Sequence, residues 1–156
     1  MTGTVRSRSI RFLQSTYLGG ISVERAKALA IHPWSGEVYV AGQTTSSSFP
    51  GTSGGAQPSQ GGGVWDAFVA RLNPSRTVLL QSTFLGGSGS EYANALAIDP
   101  MSGEVYVAGE TESNPFPGSA GAAQSVYGGG ANDRFVARFN VALTGLLRST
   151  YLLRNR

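Results

Sequence analysis

Apolar and polar residues alternate along this chain in short runs, each closed by Gly, Pro, Asn or Ser. Alternation with a period of two marks a strand with one face covered. β-Branched and aromatic residues fill the runs, as strands favour. Four strands, a to d, are predicted: Ala26 to Ile31, Glu37 to Gly42, Ala67 to Leu72, and about Thr77 to Leu85. Pro33-Trp34-Ser35-Gly36 predicts a tight a–b hairpin, with Gly36 supplying positive φ. Asn73-Pro74-Ser75 predicts the c–d turn. Ala26 to Ile31 alone also fits a helix, but Pro33 and the β-rich sequence after it favour a strand. No stretch sustains a helical period.

The whole pattern occurs twice at one offset. Gln14 to Gly20 returns as Gln81 to Gly87, and Ala28 to Ile31 as Ala95 to Ile98. Ser35 to Gly42 returns unchanged as Ser102 to Gly109. Phe49-Pro50-Gly51, Gly61-Gly62-Gly63 and Asp66 to Arg71 return at Phe116, Gly128 and Asp133. Roughly 41 of 67 aligned positions are identical without a gap, far beyond chance. Ser149-Thr150-Tyr151-Leu152 begins a third, partial copy. Four antiparallel strands in tandem repetition are the pattern of β-propeller blades. The expected fold is therefore all-β: two tandem four-stranded antiparallel blades, an incomplete propeller in one chain. Residues 1–13 are read as an N-terminal arm and the start of an extra d-type strand. Residues 14–80 and 81–147 are the two blade repeats, and 148–156 is the end of the last strand with a basic tail.

The b–c connection, about Gln43 to Trp65, is longer than ordinary loops. Phe-Pro-Gly, Ala-Gln and Gly-Gly-Gly keep their spacing in both copies, so an ordered excursion is expected, packed over the blade by Phe49 and Phe116.

These residues resemble the SBBP family, the bacterial seven-bladed β-propeller type of repeat. The matching pieces are S-T-Y/F-L-G-G, A-x-A-I, G-x-V-Y-V-x-G, F-P, G-G-G and D-x-F-V-A-R, found twice over about nine tenths of the chain. Strands a and b also look like the related NHL propeller repeat. The resemblance implies a propeller and an origin among bacterial, often exported or surface-attached, multi-repeat proteins. It implies no reaction. The chain departs from the pattern at His32, where Asp is preferred as at Asp99, and at Leu153-Arg154, which replaces the closing Gly-Gly.

Composition sharpens the picture. Charged residues are 13% against a usual quarter, Gly numbers 22 and aromatics reach 10%, which suits a turn-rich folded β protein. With no Cys, a disulfide framework, a thiolate zinc site and a cysteine nucleophile are excluded. No apolar run is long enough to span a bilayer as a helix. Met1 to Phe12 lacks the apolar core of a secretory signal, so the compartment is left open, with the cell surface suggested only by resemblance. The net charge of +3 comes from the ends: Arg6, Arg8, Arg11, Arg148, Arg154 and Arg156 stand outside the span from Glu24 to Asp133 that holds all nine acids. Solvated strand ends explain them better than nucleic acid, because no aromatic–basic interleaving accompanies them.

The candidate chemistry is sparse. Gly61-Gly62-Gly63 lacks the Lys-Ser/Thr and helix of a phosphate loop, and His32 is the only His. No D-x-D-x-D-G calcium loop occurs. Asp66 and Asp133 recur before strand c and are read as turn caps, with a calcium or sugar contact as the alternative. Glu24 and Glu91 recur in the d–a connection, where they would ring a propeller channel. Trp34 and Trp65 occur only in the first copy and are candidates for stacking on a sugar or anchoring a partner. No catalytic residue, metal or cofactor is predicted.

A blade buries both faces against neighbours, through Val38, Val40, Val69 and their copies. Two blades make one internal junction and leave two outer faces, each an interaction site or an aggregation liability. Three chains in a ring would make six blades; a fragment of a longer propeller is the other solution. The d-type segment Ser9 to Leu18 is expected to pair with another chain's blade or to form an edge. The function expected is a non-enzymatic scaffold or interaction module that self-assembles or joins a larger complex. A glycan- or small-ligand-binding propeller is the alternative, and a carboxylate-based hydrolase a remote one.

Overall fold

The computed structural model describes residues 14–152. Among them there is no helix; eight strands form two four-stranded antiparallel sheets. Sheet 1 is β1 (Glu24–Ile31), β2 (Val38–Thr44), β3 (Asp66–Leu72) and β4 (Leu79–Leu85), hydrogen-bonded in that order. Sheet 2 repeats it with β5 (Glu91–Ile98), β6 (Val105–Thr111), β7 (Asp133–Phe139) and β8 (Leu146–Leu152). Each sheet is a meander, the order that consecutive hairpins produce. These are two tandem propeller-type blades. Each sheet begins at Glu24 or Glu91, so the link between them is Gly86 to Ser90, and β4 spans the 80/81 boundary of the sequence repeat.

The registers of the two sheets are copies. Glu24 stands opposite Thr44 and Thr44 opposite Asp66; Glu91, Thr111 and Asp133 repeat the row. A bulge at Ala26/Ala28, copied at Ala93/Ala95, turns the first strand. It brings the chain so close to its neighbour that a Cβ on Gly42 or Gly109 would collide with the Arg25 or Tyr92 carbonyl. Glycine is required there for space.

The b–c excursions are ordered and wrap the outer edge of each sheet. The amides of Ser82 and Phe84 in β4 donate to the Gly51 and Gln57 carbonyls. Those of Ser149 and Tyr151 in β8 donate to the Gly118 and Gln124 carbonyls. An unpaired strand edge is a template for aggregation, and the excursion occupies it. Phe49 anchors it by stacking on Phe68 with centroids 4.5 Å apart, and Phe116 does the same on Phe135. Phe49 and Phe116 are both buried.

The sheets stack face to face through unlike faces. Tyr39, Ala41, Ala67 and Val69 of sheet 1 enter one core with Ala93, Val105, Val107, Phe135, Ala137 and Phe139 of sheet 2. Along each strand these sets alternate, so sheet 1 presents its odd-numbered β2–β3 positions and sheet 2 presents the copies of the even-numbered ones.

Candidate functional site

The junction between the blades is tied by side-chain and backbone hydrogen bonds as well as by its core. Tyr39 is fully buried and its hydroxyl crosses the junction, donating to the Val141 carbonyl at 2.7 Å. The Ala56 amide donates to the Leu143 carbonyl at 2.9 Å. Leu143 is fully buried although its φ is 61°, a conformation costly for a branched apolar residue. Packing against the junction core holds it there. Its copy, Arg76, has φ 57° but a different side chain, whose Nη1 donates to the Pro74 carbonyl at 2.9 Å.

A carboxyl pair closes one end of the junction. Asp66 and Glu91 are both fully buried. Asp66 Oδ2 accepts from the Gly61 amide at 2.6 Å, while Oδ1 is buried without a partner. Glu91 Oε1 accepts from Thr111 at 2.6 Å and Ser113 at 2.5 Å, and Oε2 from the Gly87 amide at 3.0 Å. The two carboxyls converge on Gly86, where a Cβ would lie 2.5 Å from Glu91 Oε2 and 2.8 Å from Asp66 Oδ1. Burial pushes the Asp66 carboxyl up to about 6, against the Gly61 and Gly62 amides that favour its ionised form. Burial likewise pushes Glu91 up to about 7, against its hydrogen bonds, and the nearby Asp66 charge adds to the rise.

The repeat places Glu24 and Asp133 as the copies of Glu91 and Asp66. Glu24 accepts from Thr44 at 2.9 Å and from Ser46, and Asp133 accepts from the Gly128 amide. Glu24, Trp65, Asp66, Glu91 and Asp133 therefore all stand at the β1/β3 starting end of the blades or its copy. Glu91, read with Glu24 as ringing a propeller channel, is buried in the junction, where Thr111, Ser113 and the Gly87 amide donate to its carboxylate.

The two tryptophans do not converge. Trp34 lies in the β1–β2 turn, at the opposite end of the sheet from Trp65. It is 81% exposed, yet its indole N–H donates to the Pro100 carbonyl at 2.6 Å, bridging to the second blade. Trp65 is half-buried beneath the Arg25 guanidinium, 5.0 Å from the ring centre. His32 caps its hairpin: Nδ1 accepts from the Trp34 and Ser35 amides, as Asp99 Oδ1 does from Met101 and Ser102. Arg148 Nη1 donates to the Gly121 carbonyl at 2.8 Å; Arg6, Arg8, Arg11, Arg154 and Arg156 lie outside the described residues. Gln14 to Leu18 enters no ladder, and the Ser9 to Leu13 part of the expected d strand lies outside the described residues. Among the described residues no group of three His, Cys, Asp or Glu is placed to hold a metal ion, and no helix is long and apolar enough to cross a membrane.

Outside the junction, both blades leave a face open. On sheet 1 this face carries Leu29 and Ile31, each 60% exposed, beside a cleft of about 520 Å³ between Glu24, Ala26 and Val40 and the chain's own Ser15, Thr16 and Leu18, with Val38 and Phe68 buried beneath. On sheet 2 it carries Tyr106, Ala108 and Val136, half-buried. The residues that shape the junction, Tyr39 and Leu143, were not singled out by sequence. Their signals were a Tyr inside the unchanged Ser35 to Gly42 segment, and an apolar residue in a turn where the other copy has Arg76.

The chain matches no family model, and no curated protein matches it.

Proposed function

We propose that this chain is a non-enzymatic scaffold or interaction module of the β-propeller type, self-assembling or joining a larger complex by seating further sheets on its two open faces. One observation carries the reading. Several residues of the same type at repeat-related positions are buried at the junction on one blade and less covered on the other, although Val38 and Phe68 are buried like their copies. Tyr39 and Val69 are fully buried where Tyr106 and Val136 are not, and Ala93 is fully buried where Ala26 is exposed. The open faces thus carry chemistry suited to a blade neighbour, and apolar surface of this kind marks an interaction site. The likeness of the repeat to the SBBP pattern supports the same reading, as does the dispersal of the candidate ligand residues. Trp34 and Trp65 sit too far apart in the sheet to form one sugar platform, so the glycan-binding alternative gains no support from them.

Photo-crosslinking in cells tests it. A benzophenone amino acid at Leu29 or Val136 is expected to yield defined protein adducts, and one at Met101, which is 95% exposed but off both faces, is not. Absence of adducts from both face positions would overturn the reading.

A further inference from the structure

The open faces are unlike each other, and the molecule already shows how they fit. At the internal junction the Tyr39 face of sheet 1 is covered by the Ala93, Val105, Val107 and Phe135 face of sheet 2. The open face of sheet 2 is the copy of the first of these: Tyr106, Ala108 and Val136 stand for Tyr39, Ala41 and Val69. The uncovered part of the sheet 1 face is the copy of the second: Ala26, Leu29, Ile31 and the half-buried Val40 stand for Ala93, Leu96, Ile98 and Val107, while Val38 and Phe68 of the same face are already buried in the single chain. We propose that a second copy of this chain covers each face, the sheet 2 face of one molecule docking on the sheet 1 face of the next in the register of the internal junction. This rests on the scaffold reading and names its partner.

Several details of the open faces fit the same contact. Glu24 and Asp133 are the two halves of the Asp66–Glu91 pair, each without its counterpart in the single chain. Docking in this register brings Asp133 of one copy to Glu24 of the next. The Tyr106 hydroxyl then points to the Pro74 carbonyl of the next copy, as Tyr39 does to Val141. The cleft beside Glu24 is lined by Ala26, Leu29 and Val40, the copies of residues that pack in the junction core with Tyr39 and Val69. Two departures mark the outer contact as weaker than the inner one. Arg76 replaces Leu143 and has to release the Pro74 carbonyl. Arg134 and Glu110 replace Ala67 and Gln43, and they pair with each other at 3.1 Å.

Because the faces differ, the contact is heterologous: each molecule uses one face toward one neighbour and the other face toward the next. Such a contact closes into a ring or propagates. Closed propellers have about four to eight blades, which corresponds to about two to four copies. The segment at Ser15, Thr16 and Leu18 rims the sheet 1 cleft and is the competing occupant.

Sedimentation of the full chain over rising concentration, with two face variants, tests the proposal. Leu29→Arg blocks the sheet 1 face and Tyr106→Arg the sheet 2 face; circular dichroism identifies folded variants, and Ile31→Arg and Val136→Arg serve as substitutes. The full chain is expected to form oligomers of defined size. Each variant alone is expected to be monomeric or to lose at least tenfold in association constant. An equimolar mixture of the two is expected to restore a one-to-one dimer through the single pair of unblocked faces. A monomeric full chain, or a mixture that stays monomeric, overturns it. So does assembly that appears only after residues 1–18 are removed, since the chain's own segment would then be the occupant. Cross-links from the faces to a different protein, with a monomeric chain, would end this inference and leave the scaffold reading standing.

Discussion

Asp66 and Glu91 illustrate how one residue type changes meaning with burial. A carboxylate in water needs no partner; buried, its charged form loses solvation and its proton is held more tightly. Both groups bind protons in the folded chain that the unfolded chain, with carboxyls near about 4, has already released. The sign follows by linkage: their contribution to stability is most favourable below about pH 4 and is lost as pH rises through about 6 and 7. Glu37 acts in the opposite sense, because the Arg71 guanidinium at 2.8 Å holds its carboxyl below the ordinary range. Its contribution is present at neutral pH and fades only in stronger acid. The melting temperature is therefore expected to rise when pH falls from 8 to 5. Asp66→Asn, whose amide oxygen still accepts from Gly61, should flatten that rise. A melting temperature that is level or falls over this range would contradict the buried pair. Nothing in the sequence distinguished Asp66 from Asp133, or Glu91 from Glu24; only the neighbouring blade does.

Strands, turns and the excursions were legible because each depends on nearby residues. Predicted strand c, Ala67 to Leu72, is β3 from Asp66, and predicted strand d is β4 from Leu79. The spacing of Phe-Pro-Gly implied an ordered excursion, but its hydrogen bonds to the outer strand depend on tertiary contact. Phe116 holds the excursion against Phe135 and Tyr151, with centroids 4.5 and 6.2 Å away. Removing a fully buried aromatic ring costs about 3–5 kcal/mol. Phe116→Ala should lose that amount in urea unfolding and speed hydrogen exchange at the Ser149 and Tyr151 amides. Unchanged protection there would mean that the excursion is held by something other than its aromatic anchor.

Across the whole molecule, the repeat makes a matched experiment. Val69 and Val136 occupy the same place in identical Phe-Val-Ala-Arg segments. Val69 is sealed by the second blade, while Val136 faces outward. Val69→Ala should cost roughly 2 kcal/mol, the worth of a buried branched side chain. Val136→Ala should cost well under half of that in dilute solution, where no second copy covers it. Equal losses would show that the open face is covered within the single chain. Tyr39 and Tyr106 differ in the same way, since only Tyr39 finds a carbonyl on the neighbouring blade.

The repeat, the four-strand unit and the all-β class were readable in the order of amino acids, because alternation, turn residues and tandem similarity act over short distances along the chain. Tertiary structure alone decided which face of each blade is used inside. It also brought Asp66 and Glu91 together across the junction, whereas their copies Asp133, also buried, and Glu24 have no facing carboxyl among the described residues, and it drew Tyr39 and Leu143 into the junction. Two nearly identical units have the same local preferences, so their differences arise only from what each one packs against.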